Sequence, residues 1–170
     1  MYDTRGGDQY VINGNTLCSV GFAVAGGFVT AGHCGGVNSP TLGFNNVPQG
    51  TFAGSSFPGN DYAWVRTNGN WTSQPWVNNY SGGNVLVAGS QDAAIGSSVC
   101  RSGRTTGWRC GVIQGRNETI VYAQGATLYG LIDPTAVARI NSALYSGWKG
   151  ALVGTAVTGL ASVYDAVLKK

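Results

Sequence analysis

From Tyr10 to about Ile132 the chain is a succession of short runs rich in β-branched and aromatic residues, each cut off by Gly, Asn or Pro. That punctuation is too frequent for helices and too regular for a disordered chain. Strands are expected at 11–12, 18–24, 27–30, 62–67, 84–88, 98–101, 108–117, 119–124 and 126–131. Turns are expected at Asn13-Gly14, Pro58-Gly59-Asn60, Ser81-Gly82-Gly83 and Ser102-Gly103. Many short strands at this spacing predict a mainly β, antiparallel barrel or sandwich. Composition agrees: only 10% of residues are charged and 28 of 170 are glycine, the profile of a turn-rich extracellular β-protein. With 43% hydrophobic residues the chain can bury one or two compact cores.

After Ile132 the pattern changes. Asp133-Pro134-Thr135 reads as a helix start, a carboxylate N-cap followed by proline in the first turn. Val137, Ile140, Leu144, Trp148 and Leu152 then recur at steps of three or four, followed by Val157, Leu160, Tyr164 and Leu168. This periodicity predicts one broken or two consecutive helices ending at Lys169-Lys170, packed over otherwise exposed strands. Gly150, Gly154 and Gly159 weaken such a helix by about 1 kcal/mol each. The stretch is too short and too punctuated for a membrane span, and its Gly-x-x-x-Gly spacing reads as close packing.

Chemistry concentrates at Thr30-Ala31-Gly32-His33-Cys34, which holds the only histidine of the chain at a strand end. An imidazole held there suits proton transfer near neutral pH. Asn60-Asp61-Tyr62-Ala63-Trp64-Val65 places a carboxylate at the head of an alternating strand, where it can orient that histidine. The net charge of +3 is spread over scattered basic residues, with Arg101, Arg104, Arg109 and Arg116 as a loose solvated rim. No dense basic stripe interleaved with aromatics is present, so nucleic acid is not expected as a partner. Four cysteines allow three pairings. Zinc is the competing reading of four cysteines and a histidine, but no pair has the usual close ligand spacing, and no metal or cofactor is expected.

Together with Leu17-Cys18-Ser19-Val20-Gly21-Phe22 and Cys100-Arg101-Ser102-Gly103, the two motifs resemble the bacterial chymotrypsin-like serine proteases of the alpha-lytic protease and streptogrisin group. The resemblance spans about residues 6–132. It implies a chymotrypsin-like antiparallel β-barrel fold with a first barrel at 1–82 carrying His33 and Asp61, and a partial second barrel at 83–132. The segment 133–170 is then a C-terminal α-helical segment foreign to the family. The resemblance also implies disulfides Cys18–Cys34 and Cys100–Cys110, hence an oxidising compartment, and His33 as general base with Asp61 as its orienting acid. The implied activity is that of a secreted serine endopeptidase acting on peptides or proteins.

The family's nucleophile lies in Gly-Asp-Ser-Gly-Gly, and no such segment occurs in this sequence. Ser142 and Ser146 lack the preceding Gly-Asp, and Ser55, Ser56 and Ser102 fall in matched segments that carry no nucleophile. The expectation is therefore a catalytically incomplete protease-like scaffold, whether by degeneration, fusion or design. The alternative is a non-enzymatic binding module that offers strand edges to a partner, as a monomer or an edge-mediated oligomer. Met1-Tyr2-Asp3-Thr4-Arg5 has no apolar core, so no signal peptide is expected in this chain.

Overall fold

The structure is a computed structural model that describes residues 1–58, 61–87, 94–121, 127–134, 140–145, 151–156 and 164–166, from residue 115 onward as backbone. Strands β1 (Tyr2–Gly6), β2 (Gln9–Ile12), β3 (Thr16–Ser19), β4 (Phe22–Val24) and β5 (Gly27–Thr30) precede a single 3-10 turn, Gly32–Cys34. β6 (Pro40–Leu42), β7 (Pro48–Ser56), β8 (Tyr62–Thr67), β9 (Trp71–Asn78) and β10 (Asn84–Leu86) follow it. Then come β11 (Ser98–Gly103), β12 (Gly107–Val121), β13 (Thr127–Pro134), β14 (Ile140–Tyr145), β15 (Ala151–Ala156) and β16 (Tyr164–Ala166).

An antiparallel seven-stranded sheet in the order β3-β2-β6-β7-β8-β5-β4 wraps the main described core. In β8 the period of two is visible in burial: Ala63 and Val65 point inward, while Arg66 faces solvent with its guanidinium over Trp64, 5.2 Å from the ring. The core they enter contains Tyr10, Ile12, Val20, Phe28 and Phe52, all essentially fully buried. Asn13 and Gly14 take φ of 51° and 78° where β2 turns into β3, the left-handed conformations that this dipeptide favours.

β1, β9 and β10 form a small separate sheet, with β1 parallel to β9 and β10 antiparallel to it. A polar knot ties it to the main sheet and to β11. Gly7 sits at φ 82°, and an added Cβ would lie 1.9 Å from Ser102 Oγ, so this turn admits only glycine. Beside it, Asp8 is 5% exposed and accepts from Arg5 Nε at 2.7 Å and from Asn78 Nδ2 at 2.9 Å. The Tyr80 hydroxyl donates to Gly7 O, and Ser102 Oγ donates to Asn78 O.

Burial holds the Asp8 carboxyl above its ordinary value, because the opposing hydrogen bonds from Arg5 and Asn78 and the Arg5 charge do not cancel the lost hydration. Burial, aided by the Asp8 charge, likewise pushes Tyr80 up to about 12. Folded protein therefore binds the Asp8 proton more tightly than unfolded chain does. The stability contributed by this group should rise as pH falls through its raised native pKa, and be fully present below the unfolded value. Urea midpoints measured across mildly acidic pH should show this rise in the parent and lack it in Asp8→Asn.

The third sheet has six strands in the order β15-β14-β13-β12-β11-β16. It corrects the expected helical segment at 133–170, because β14, β15 and β16 are strands and β14 pairs with β15 from Ile140↔Ala156 to Tyr145↔Ala151. Ile140 and Leu144, four apart, share a face in a helix and in a strand alike, so their spacing does not discriminate the two. The β13 edge offers β14 backbone partners, whereas glycines at 150, 154 and 159 penalise a helix. Asp133 and Pro134 close β13 instead of opening a helix, in keeping with the extended preference of a residue before proline. The expected helix positions Val137, Trp148, Val157, Leu160 and Leu168 lie outside the described residues.

Arg101 is also corrected. It is 4% exposed within β11, whereas Arg104 and Arg109 are exposed as expected of a solvated rim. Among the described residues, no helix is long and apolar enough to cross a membrane.

Candidate active site

Sheet register brings the site together. β5 pairs antiparallel with β8, with Thr30 opposite Ala63, so the end of β5 lies beside the start of β8. His33 follows Thr30 by a few residues and Asp61 immediately precedes β8, which places both at the same end of the sheet.

Asp61 is 0% exposed, and both of its oxygens are engaged by one residue. Oδ1 accepts the His33 backbone N–H at 2.8 Å and Oδ2 bonds His33 Nδ1 at 2.9 Å. An ionised carboxylate only accepts, so Nδ1 carries the proton and the lone pair lies on Nε2. The His33 side chain is 26% exposed, so its far edge reaches solvent while its near edge is fixed. This pairing can hold one imidazole tautomer and stabilise its protonated form, the two services a general base requires.

Several supports were not read from sequence. Ser55 Oγ donates to Gly32 O at 3.1 Å, pinning the turn that carries His33. Phe57 stands edge-on to the imidazole with ring centroids 6.0 Å apart. Tyr10 OH and Thr30 Oγ1 share a buried hydrogen bond of 2.8 Å beneath the end of β5. Gly32 is held by close approach: a Cβ there would lie 2.5 Å from Ser56 O. Only the Gly32 signal was present in sequence; the others depend on long-range pairing.

The two disulfides are formed as the resemblance implies. Cys18–Cys34 links β3 to the histidine turn, and Cys100–Cys110 joins directly opposed residues of β11 and β12. Of the serines weighed as substitute nucleophiles, Ser55 and Ser102 donate to backbone carbonyls, and Ser142 lies in β14 opposite Gly154. Ser56 ends β7 opposite Tyr62, and Ser146 lies outside the described residues.

No family model matches the chain. Individual relatives do. Streptogrisin-C of Streptomyces griseus is 57% identical over 143 residues, covering 82% of this chain but 31% of that protein, so the chain spans about a third of its length. Serine protease 2 of Streptomyces fradiae is 35% identical over 154 residues, covering 84% of this chain and 87% of the relative. Among solved structures, the chymotrypsin of Cellulomonas bogoriensis superposes with a TM-score of 0.73 at 52% identity, covering 88% of this chain and 76% of that one. With the mainly β fold and the two disulfides, these likenesses establish that the chain belongs to the chymotrypsin-like serine proteases of the bacterial alpha-lytic protease and streptogrisin group.

Proposed function

We propose that this chain carries the base and the orienting acid of a serine-endopeptidase site, His33 and Asp61, on a scaffold whose nucleophile is not among these 170 residues. The supporting observation is the 2.9 Å bond from His33 Nδ1 to a carboxylate with no solvent exposure. In this reading Nε2 takes the proton of an attacking hydroxyl, and Asp61 stabilises the imidazolium until the proton passes to the leaving amine. Substrates are peptides or proteins. The hydroxyl and the oxyanion donors belong to the missing Gly-Asp-Ser-Gly-Gly segment, and without them hydrolysis slows by several orders of magnitude. Two disulfides fit an extracellular, oxidising location.

Treating the folded chain with a fluorophosphonate probe is expected to leave its intact mass unchanged. A single serine adduct that disappears in His33→Ala would overturn this reading and make the chain a complete hydrolase. The alternative, a binding module built on open strand edges, has less support, because β15 and β16 lie against each other and bring the two ends of the six-stranded sheet together. A monomer in light scattering after gel filtration is the expected result, whereas a concentration-dependent oligomer would favour the binding module.

A further inference from the structure

The ligand-bearing atoms of Cys18, His33 and Cys34 all lie within 4.8 Å of one another, the one such three-residue cluster among the described residues. In the oxidised chain the two sulfurs are spent on each other. We propose that reduction of Cys18–Cys34 turns this corner into a Cys2His site for a thiophilic divalent cation such as zinc, with its fourth position open to water.

Three observations carry this. The first is spacing. His33 Nε2 lies 4.0 Å from Cys34 Sγ, and a tetrahedral zinc with two thiolates and an imidazole needs its ligand atoms about 3.5 to 3.8 Å apart. Once reduced, the two sulfurs must also part from bonding distance to that spacing, for which the 6.3 Å between the Cys18 and Cys34 Cα atoms leaves room. The second is orientation. Asp61 engages Nδ1, which leaves the Nε2 lone pair on the sulfur side. A buried carboxylate behind a metal-bound imidazole fixes its tautomer and raises its basicity as a ligand. The third is access. Cys18 and Cys34 are 6% and 5% exposed, a dry floor suited to thiolates neutralised by a cation, while the partly exposed imidazole leaves a solvent-facing side for the fourth ligand.

The balance is simple. An external dithiol gives two electrons and two protons to the disulfide, becomes a cyclic disulfide itself, and leaves two cysteine thiols. The divalent cation then displaces those two protons into solvent and binds two thiolates and a neutral imidazole, so the metal and its three ligands carry no net charge. Nε2 is thereby withdrawn from proton transfer. The site needs only the Asp61–His33 pairing, so it stands independently of any nucleophile.

Cobalt(II) is the probe, because its thiolate charge-transfer and ligand-field bands report sulfur ligation and tetrahedral geometry. A Cys100→Ser, Cys110→Ser chain makes Cys18–Cys34 the only reducible pair. After reduction, removal of the reductant and a thiol count of two per chain, cobalt should bind at one per chain with both bands, and zinc should displace it. His33→Ala should alter the visible bands and weaken binding by more than about tenfold, and Asp61→Asn should weaken it by about 10- to 100-fold. Equal uptake by the oxidised chain, bands unchanged in His33→Ala, or no thiolate band on a fully reduced chain would each overturn the proposal. Should reduction alone unfold the chain, cobalt must restore its native near-ultraviolet circular dichroism, since binding energy is then folding energy. Failure to restore it would overturn the proposal as well.

Discussion

Phe28→Ala is expected to lower the unfolding free energy by about 3 to 5 kcal/mol, close to the full range seen for deleting a buried phenylalanine. Phe28 is 0% exposed and meets Tyr10 edge-to-face with ring centroids 5.0 Å apart. Its strand, β5, is held between β4 and β8, so the sheet cannot close over the vacated space without breaking register on one side. The cost therefore includes an open cavity as well as lost transfer energy. Damage should also reach the site, because Tyr10 loses one of its ring partners and its hydroxyl helps brace Thr30 at the end of β5. Urea unfolding gives the energy, and hydrogen exchange of the His33 amide, which donates to Asp61, reports the site. Val37→Ala, at a residue 55% exposed, should change stability by less than about 0.5 kcal/mol. Similar losses in the two variants would mean that this core is not where the fold is held.

What sequence could and could not supply follows from the range of the forces involved. β5 and β8 were legible residue for residue, because Gly27–Thr30 and Tyr62–Thr67 are β-branched or aromatic runs with clear ends. β7 was missed: Pro48–Ser56 is rich in Gly, Ser and Thr, and it is a strand because β6 and β8 supply its partners. β9 was missed because Pro75 interrupts its pattern, and β1 because nothing local announces a parallel pairing with a strand some seventy residues away. Ser102-Gly103, read as a turn, forms the end of β11, and the run 108–117 continues through 119–121 as the single irregular strand β12, residues 122–124 lying outside the described ones. The helix expected after Ile132 failed for a different reason. A four-residue spacing is shared by both periodicities, and only an available sheet edge decides between them. His33 and Asp61 were found because chemistry leaves a local mark, a lone imidazole and a strand-heading carboxylate. Ser55, Phe57 and the Tyr10–Thr30 bond leave none.

Removing the Cys18–Cys34 bridge, as Cys18→Ala with Cys34→Ala, should cost about 2 to 4 kcal/mol. The bridge closes a loop between residues 16 apart that contains β4 and β5, and it ties β3 to the turn bearing His33. Without it, the unfolded chain gains the freedom of that loop, while the native chain loses a covalent brace on a turn whose own internal hydrogen bonds are long. The Cys34 N–H to Ala31 O bond is 3.3 Å and the Gly35 N–H to Gly32 O bond is also 3.3 Å, both at the long end of useful geometry. Opening should therefore be local as well as global, with His33 amide exchange accelerating more than that of core amides in β8. Cys100→Ala with Cys110→Ala is the informative contrast. That bridge spans residues 10 apart that already face each other across paired β11 and β12, so the hairpin itself supplies part of the constraint. A smaller loss, with no change at His33, is the expected result there. An unchanged melting temperature in the Cys18, Cys34 variant would show that the Asp61 hydrogen bonds alone fix the histidine turn, and that the bridge adds nothing to the site.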